Sequence, residues 1–292
     1  AFAYLHTGVY AGTEKPALCV LPVCKRGKIM RLVTWNINSA RLRLPLIQRL
    51  IGELNPDIIC LQEIKGETAV FPGAPLRELG FEHQHVRGMK GYNGVAILSR
   101  HAFKPLPLAN WCNKDDARHI AVELKNGVEL HNFYVPAGGD IPDPAVNDKF
   151  AHKLAFMDEM AKWSKKGKTQ SRILVGDLNI APLPDDVWSH KQLLDVVSHT
   201  PIEVEKMERL METADWVDSA RALTPAPAKL YSWWSYRAAD WAKSDKGRRL
   251  DHVWLTPDVA KKLKGNETFK AARGWQQASD HAPVVADLDI KL

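Results

Sequence analysis

Apolar positions in this chain fall into short runs whose spacing alternates between strand-like and helix-like. Arg31 to Trp35 reads as a strand, and Leu42 to Leu54 carries apolar residues at 42, 46, 47, 50, 51 and 54, the spacing of a helix with one buried face. Asp57 to Gln62 is a short apolar strand. Strands are expected at 81–87, 93–99, 119–124 and 128–135, with Asn126-Gly127 closing a tight hairpin. Helices are expected at about 147–164 and 203–213, and further strands at 172–176, 230–236, 249–255 and 283–290. Two half-chains that each mix strands and helices predict an α/β protein of two sheets packed face to face with helices outside.

Residues 1–29 break this pattern. Their apolar stretch, Ala17 to Cys24, precedes Lys25, Arg26 and Lys28, the reverse of a secretory signal. They read as a weakly ordered extension that need not be native, with Met30 as the natural start of a single domain over 30–292. Docking of the extension through Phe2, Tyr4 and Tyr10 is the alternative.

At 292 residues and 45% apolar content the chain can bury a large core, and no apolar run approaches the roughly 20 residues that cross a bilayer. Cysteines at 19, 24, 60 and 112 are too few and scattered for a disulfide framework, so the cytoplasm is the expected compartment. Cys60 lies within an apolar run and is expected in the core. Lysine and arginine exceed aspartate and glutamate by 40 to 34. Much of the acid sits in polar clusters at the ends of apolar runs: Trp35-Asn36-Ile37-Asn38, Leu61-Gln62-Glu63, Gly176-Asp177-Leu178-Asn179 and Ser279-Asp280-His281. Acids, amides and a histidine delivered from strand ends can hold a hard divalent cation against a phosphate. With a basic exterior, that points to a metal-dependent phosphodiesterase acting on a polyanion.

Taken in order, these clusters resemble the exonuclease III family of abasic-site endonucleases, within the endonuclease/exonuclease/phosphatase superfamily. The likeness covers about 30–292 and implies a four-layered αββα sandwich. It implies that Glu63 is the main metal-binding carboxylate, that Asn36 lies near metal and phosphate, and that Tyr134 hydrogen-bonds the scissile phosphate. Asp177 and Asn179 match the pair near the attacking water, Asp251 the acid that orients His281, and Asp280 its neighbouring acid. Tyr92 and Asn93 match a loop facing DNA, and Arg118 a basic residue near the phosphate strand. The chain departs from the family at Ala137, where an amide is common, and at Arg248 and His252, where aromatic residues are common.

Chemically, Glu63 with Asp280 and Asn38, and with Asp177 and Asn179 close by, can place Mg²⁺, or Mn²⁺ as a substitute, against the phosphate. Asn36, Arg118, Asn179, Tyr134 and His281 can donate to its oxygens. Asp177 is the expected general base, with His281, held by Asp251, as the rival base or a protonated phosphate ligand. Alternation would send Trp233 and Trp234 to opposite faces, one ring to the core and the other free to reach a ligand, with core packing of both as the equal alternative. By resemblance, Trp233 and Leu250 wall a lesion pocket, beside Arg248. Lys243, Lys246, Arg248 and Arg249 form the favoured backbone contact, ahead of Lys162, Lys165, Lys166 and Lys168.

The expected function is cleavage 5′ to abasic sites in duplex DNA, with 3′-to-5′ exonuclease and 3′-end-cleaning activity on blocked ends, by a monomer. The alternatives are a superfamily phosphatase or lipid phosphodiesterase, and a catalytically silent RNA-binding relative.

Overall fold

The computed structural model describes residues 29–238 and 240–292. The extension, apart from Ile29, and Cys19 and Cys24 lie outside the described residues. Strands β1 (Met30–Asn36), β2 (Ile58–Gln62), β3 (His83–Arg87), β4 (Val95–Ser99), β13 (Leu263–Thr268) and β14 (Val284–Leu288) form one sheet, in the order β13-β14-β1-β2-β4-β3. The second contains β5 (Phe103–Pro105), β6 (His119–Leu124), β7 (Glu129–Tyr134), β8 (Arg172–Asp177), β9 (Val217–Asp218) and β12 (Asp251–Leu255), in the order β5-β6-β7-β8-β12-β9. A small ribbon pairs β10 (Trp233–Trp234) with β11 (Gly247–Arg248).

Alternation along the strands builds three apolar layers. Leu32, Ile58, Cys60 and Ile97 meet Ile120, Leu130, Val175 and Val253 between the sheets. Their neighbours Val33, Trp35, Ile59 and Leu61 face outward, against helix α1 (Leu44–Leu54) and the short α2 (Gly73–Glu78). On the other side Phe133, Leu174 and Trp254 pack with Phe156, Met157 and Met160 of α3 (Asp148–Lys166). Beyond the short α4 (His190–Leu193), α5 (Pro201–Glu212) adds Met207 and Leu210 to that layer. This is the expected αββα sandwich, and because both faces of each sheet are covered, the central strands read as nearly continuous apolar runs.

Helix ends follow local chemistry. Pro45 stands in the first turn of α1, and the Asn147 side chain accepts from the Lys149 amide to start α3. The hairpin closes at Asn126-Gly127, with Gly127 at φ 80°. Edge elements depart from expectation. β13 has one apolar residue, Leu263, because most of its positions have only partial cover. The strand expected over 230–236 shortens to Trp233–Trp234.

Candidate active site

Topology collects the polar clusters at one edge of the sandwich. β1 and β2 run parallel with Asn36 opposite Gln62, so Asn36 and Glu63 emerge side by side. β7 and β8 are also parallel, with Tyr134 opposite Asp177. Antiparallel β12 begins at Asp251, opposite Asp177, and His281 lies just before β14, bridged to Trp233. After their strands, Asn38, Glu63 and Asn179 take left-handed backbone conformations, with φ 48°, 50° and 54°. Such non-glycine conformations cost of order 1 kcal/mol each and turn the chain sharply where the side chains must converge.

At the centre, Asn36 Nδ2 donates to Glu63 Oε1 and to Asp177 Oδ2, both at 2.9 Å, and so bridges two acids that would otherwise repel. Tyr134 donates its hydroxyl to the same Glu63 oxygen at 2.8 Å. Asn179 Nδ2 donates to Asp177 Oδ2 at 3.1 Å and to the Val135 carbonyl at 3.0 Å. His281 presents Nδ1 to Asp251 at 2.8 Å and Nε2 to Asp177 at 3.7 Å. Burial pushes the Asp177 carboxyl up to about 7, with Asp251 and Glu63 adding to the rise against the pull of His281. Burial also opposes the His281 cation, but Asp251 and Asp177 outweigh it and hold the ring up to about 10.

Two acidic groupings could attract a cation. Asp177, Asp251 and His281 lie within 4.8 Å of one another, yet His281 is held between the two acids as a hydrogen-bonded histidine. The second grouping contains Glu63, Asn38 and Asp280, all oxygen donors of the kind hard cations take. Lys65 places its ammonium 2.8 Å from Glu63 Oε2 and 2.6 Å from Asn38 Oδ1. A cationic group therefore already fits between the Glu63 and Asn38 oxygens. Asp280 is fixed by Asn38 Nδ2 at 3.2 Å and by Trp233 Nε1 at 2.9 Å. A cavity of about 840 Å³ opens beside these groups, lined among others by Glu63, Asp177, His281, Trp188, Val197 and Leu250.

The chain matches the Endonuclease/Exonuclease/phosphatase family over residues 33–281. Exodeoxyribonuclease III of Haemophilus influenzae is 29% identical over 271 residues, covering 88% of this chain and 99% of that protein. The AP endonuclease of Archaeoglobus fulgidus is 30% identical, with a TM-score of 0.83 over 89% of this chain and all (100%) of that one. The 3′ phosphatase NExo from Neisseria, solved with a product DNA hairpin, is 31% identical, with a TM-score of 0.82 over 89% of this chain and 99% of that one. The chain belongs to the exonuclease III family of AP endonucleases. It is an enzyme, a nuclease of the DNA repair type.

Several residues expected to meet DNA are engaged inside the fold or with its own loops. Arg249 requires a correction: it is 2% exposed, with Nε and Nη2 on Asp186 at 2.7 and 2.8 Å and Nη1 on Asp218 at 2.6 Å. Its charge is spent inside the fold. Asn93 is also buried and ties its loop to the Asp116 carbonyl at 2.9 Å, whereas Tyr92 is 62% exposed. Arg118 pairs with Asp116 at 2.6 Å and lies over the Tyr134 ring at 4.9 Å. Arg248 lines the cavity, over the Trp233 ring at 5.2 Å, with Nη1 donating to Val197 O and Ser198 Oγ. Leu250 and Trp233 line the cavity while Trp234 is core, so of the two open outcomes for the tryptophan pair the split is the one found.

Sequence reasoning passed over Lys65 and Ser232. Lys65 follows Glu63 by two residues, a spacing that could have marked it. Ser232 Oγ donates to Asp251 Oδ2 at 2.7 Å and accepts from the amides of Leu250 and Asp251, both at 3.0 Å. Nothing in its local sequence distinguishes it from other loop serines.

Proposed function

We propose that this enzyme is a Mg²⁺-dependent phosphodiesterase that cuts duplex DNA 5′ to abasic sites and also trims 3′ ends, by exonuclease and end-cleaning action. The observation that carries this reading is the convergence of Glu63, Asp177, Asn179 and the Asp251–His281 pair beside one cavity. Likeness to an exodeoxyribonuclease III, an AP endonuclease and a 3′ phosphatase supports the substrate class.

In this reading Asp177 takes the proton from the attacking water, since a carboxyl raised toward neutrality is matched to that task. His281, kept cationic by Asp251, donates from Nε2 to a phosphate oxygen as negative charge builds there. Tyr134 stays protonated, because burial and nearby Glu63 and Asp177 hold its hydroxyl well above its usual value. Asn36 keeps Glu63 and Asp177 at fixed separation. Glu63, Asp280 and Asn38 would hold Mg²⁺, which supplies charge neutralisation for the phosphoryl and leaving oxygens. The phosphorus–oxygen bond to the 3′ carbon breaks, leaving a 3′ hydroxyl and a 5′ phosphate on the abasic sugar. Trp233, Leu250 and Val197 would admit that sugar and exclude an intact base by size.

The test is incubation with duplex DNA carrying one tetrahydrofuran abasic analogue, with Mg²⁺ and with a chelator. A single cut 5′ to the analogue is expected only with the ion. Glu63→Gln and Asp177→Asn are each expected to lower the rate by about 10³-fold or more while the melting temperature persists. No cut with Mg²⁺ present, or near-normal rates in either variant, overturns the assignment.

A further inference from the structure

Lys153, on α3, is fully buried, and so is the Glu203 carboxylate of α5 with which it pairs. The lysine Nζ also donates to the Asn179 carbonyl at 2.8 Å and to the Ala137 carbonyl at 3.3 Å. Those oxygens belong to the loops that leave β8 and β7 at the reaction centre. The Gly138 backbone, at φ 93°, rests against the same side chain: a Cβ there would lie 3.0 Å from Lys153 Cδ.

Glu203 works in the other direction. Its two oxygens accept the Ser198 amide at 3.0 and 2.9 Å, and one accepts the Thr200 amide at 3.1 Å and hydroxyl at 2.7 Å. Ser198 is held at φ 89°, and its hydroxyl accepts from Arg248 Nη1 at 2.7 Å. Contacts thus run from the Asn179 carbonyl through Lys153, Glu203 and Ser198 to Arg248, which lines the cavity.

Filling this space needs no charge. A pair of apolar side chains of similar volume is often as stable as a buried ion pair, because neither must be desolvated. The ion pair does something that an apolar pair cannot: it bonds to main-chain atoms on both sides and fixes their separation. We propose that Lys153 and Glu203 are positioning residues that lock the Asn179 side of the reaction centre to the 197–200 wall of the cavity. Bond breaking and substrate selection are then set by one rigid unit. The abasic substrate used in the test rests on the proposed abasic-site activity; the coupling itself does not.

Three variants are compared with wild type: Lys153→Met, Glu203→Gln, and the double change Lys153→Met with Glu203→Met. Lys153→Met alone is expected to lower both melting temperature and kcat, because it leaves Glu203 buried without its partner. The double variant is expected to be more stable than Lys153→Met but to stay below wild type, because no charge is left unpaired while the Asn179 and Ala137 carbonyls and the Ser198 and Thr200 amides lose their partners. Its kcat on the abasic analogue stays about 10- to 100-fold low, with KM within about threefold, since misplacement by an ångström costs that much. Its ratio of abasic cutting to exonuclease action also falls. A folded double variant with wild-type kcat overturns the proposal.

Should the double variant fail to fold, Glu203→Gln keeps the volume and one acceptor, and wild-type kcat in that variant overturns the proposal equally. Hydrogen exchange on Lys153→Met, without DNA or metal, tests the coupling independently of activity. Amides of 178–181 and 196–200 should exchange faster together, by about tenfold or more. Acceleration confined to α3 overturns the inference, whereas a wild-type protein that cuts no DNA overturns the functional reading alone.

Discussion

Trp233 joins two parts of the site through one ring: its indole N–H fixes Asp280 at 2.9 Å, and its face lies 5.2 Å from the Arg248 guanidinium in the cavity wall. The two roles can be separated. Trp233→Phe keeps an aromatic wall but removes the hydrogen bond to a charged group, worth roughly 1.5–3 kcal/mol, so both activities should fall by about tenfold or more with their ratio unchanged. Trp233→Ala should in addition raise exonuclease action relative to abasic cutting. Matched duplexes assayed in one Mg²⁺ buffer decide it, and an unchanged ratio in the alanine variant would place the lesion pocket elsewhere. At this scale the sequence was legible wherever a residue's neighbours fix its place, as for Glu63 after its strand and Asp280 beside His281, which all line one cavity. It was silent where the role depends on remote partners. Arg248 and Arg249 look alike in sequence, yet Arg249 meets Asp186 and Asp218 inside the fold while its neighbour reaches the cavity.

Strands and helices carry those residues to one edge, and a glycine sets the tolerance of that placement. Gly176 has φ 138°, and a Cβ there would lie 1.9 Å from the Phe133 carbonyl of the parallel neighbour. Backbone cannot give way as a side-chain tip can. Gly176→Ala should therefore cost about 3 kcal/mol or more and displace Asp177, the next residue. Urea melts and the abasic assay would show both effects; an unchanged midpoint would mean that β7 and β8 separate at little cost. The sequence displayed this glycine only as part of Gly-Asp-Leu-Asn. Its reason became visible once β7 and β8 were paired. The central strands and α1 were legible because burial imposes their pattern, whereas β13 was not, since an edge strand with partial cover needs few apolar residues.

Across the whole molecule, charged groups divide into exposed ones on and near the cavity rim and buried ones paired inside the fold. Lys243, Lys246 and Arg237 are exposed, and Lys246 and Arg237 line the cavity. Neutralising these three to glutamine should flatten the salt dependence of DNA binding by up to about three in log–log slope. Arg249→Gln should leave that slope alone and cost about 3 kcal/mol, because Asp218 loses its buried partner and Asp186 is left with Arg221 alone. Buried histidines set the acid limit. His119 and His131 stack with their ring nitrogens 3.2 Å apart, and burial holds both below the ordinary histidine range. His252 is pushed down to about 4 by burial and by Arg249, with Nε2 on the Ile180 carbonyl at 2.9 Å. The unfolded chain takes up these protons near pH 6.5 and the folded one resists, so their stabilising effect is present above pH 6.5 and lost on acidification. Asp177, raised to about 7, opposes them in part, since its own cost disappears as pH falls from 7 toward 3.8. His281, raised to about 10, acts on the alkaline side, where its contribution is lost between pH 6.5 and 10. Between pH 6.5 and 4 the loss from His252, roughly 3 kcal/mol, is offset by a similar gain from Asp177, so the net fall in stability expected there comes from His119 and His131. His252→Gln keeps a donor for the Ile180 carbonyl and cannot take up a proton. Urea melts of that variant should show a slope shallower by up to about 1.4 kcal/mol per pH unit in this window. An identical slope would mean that His252 is already charged in the folded protein.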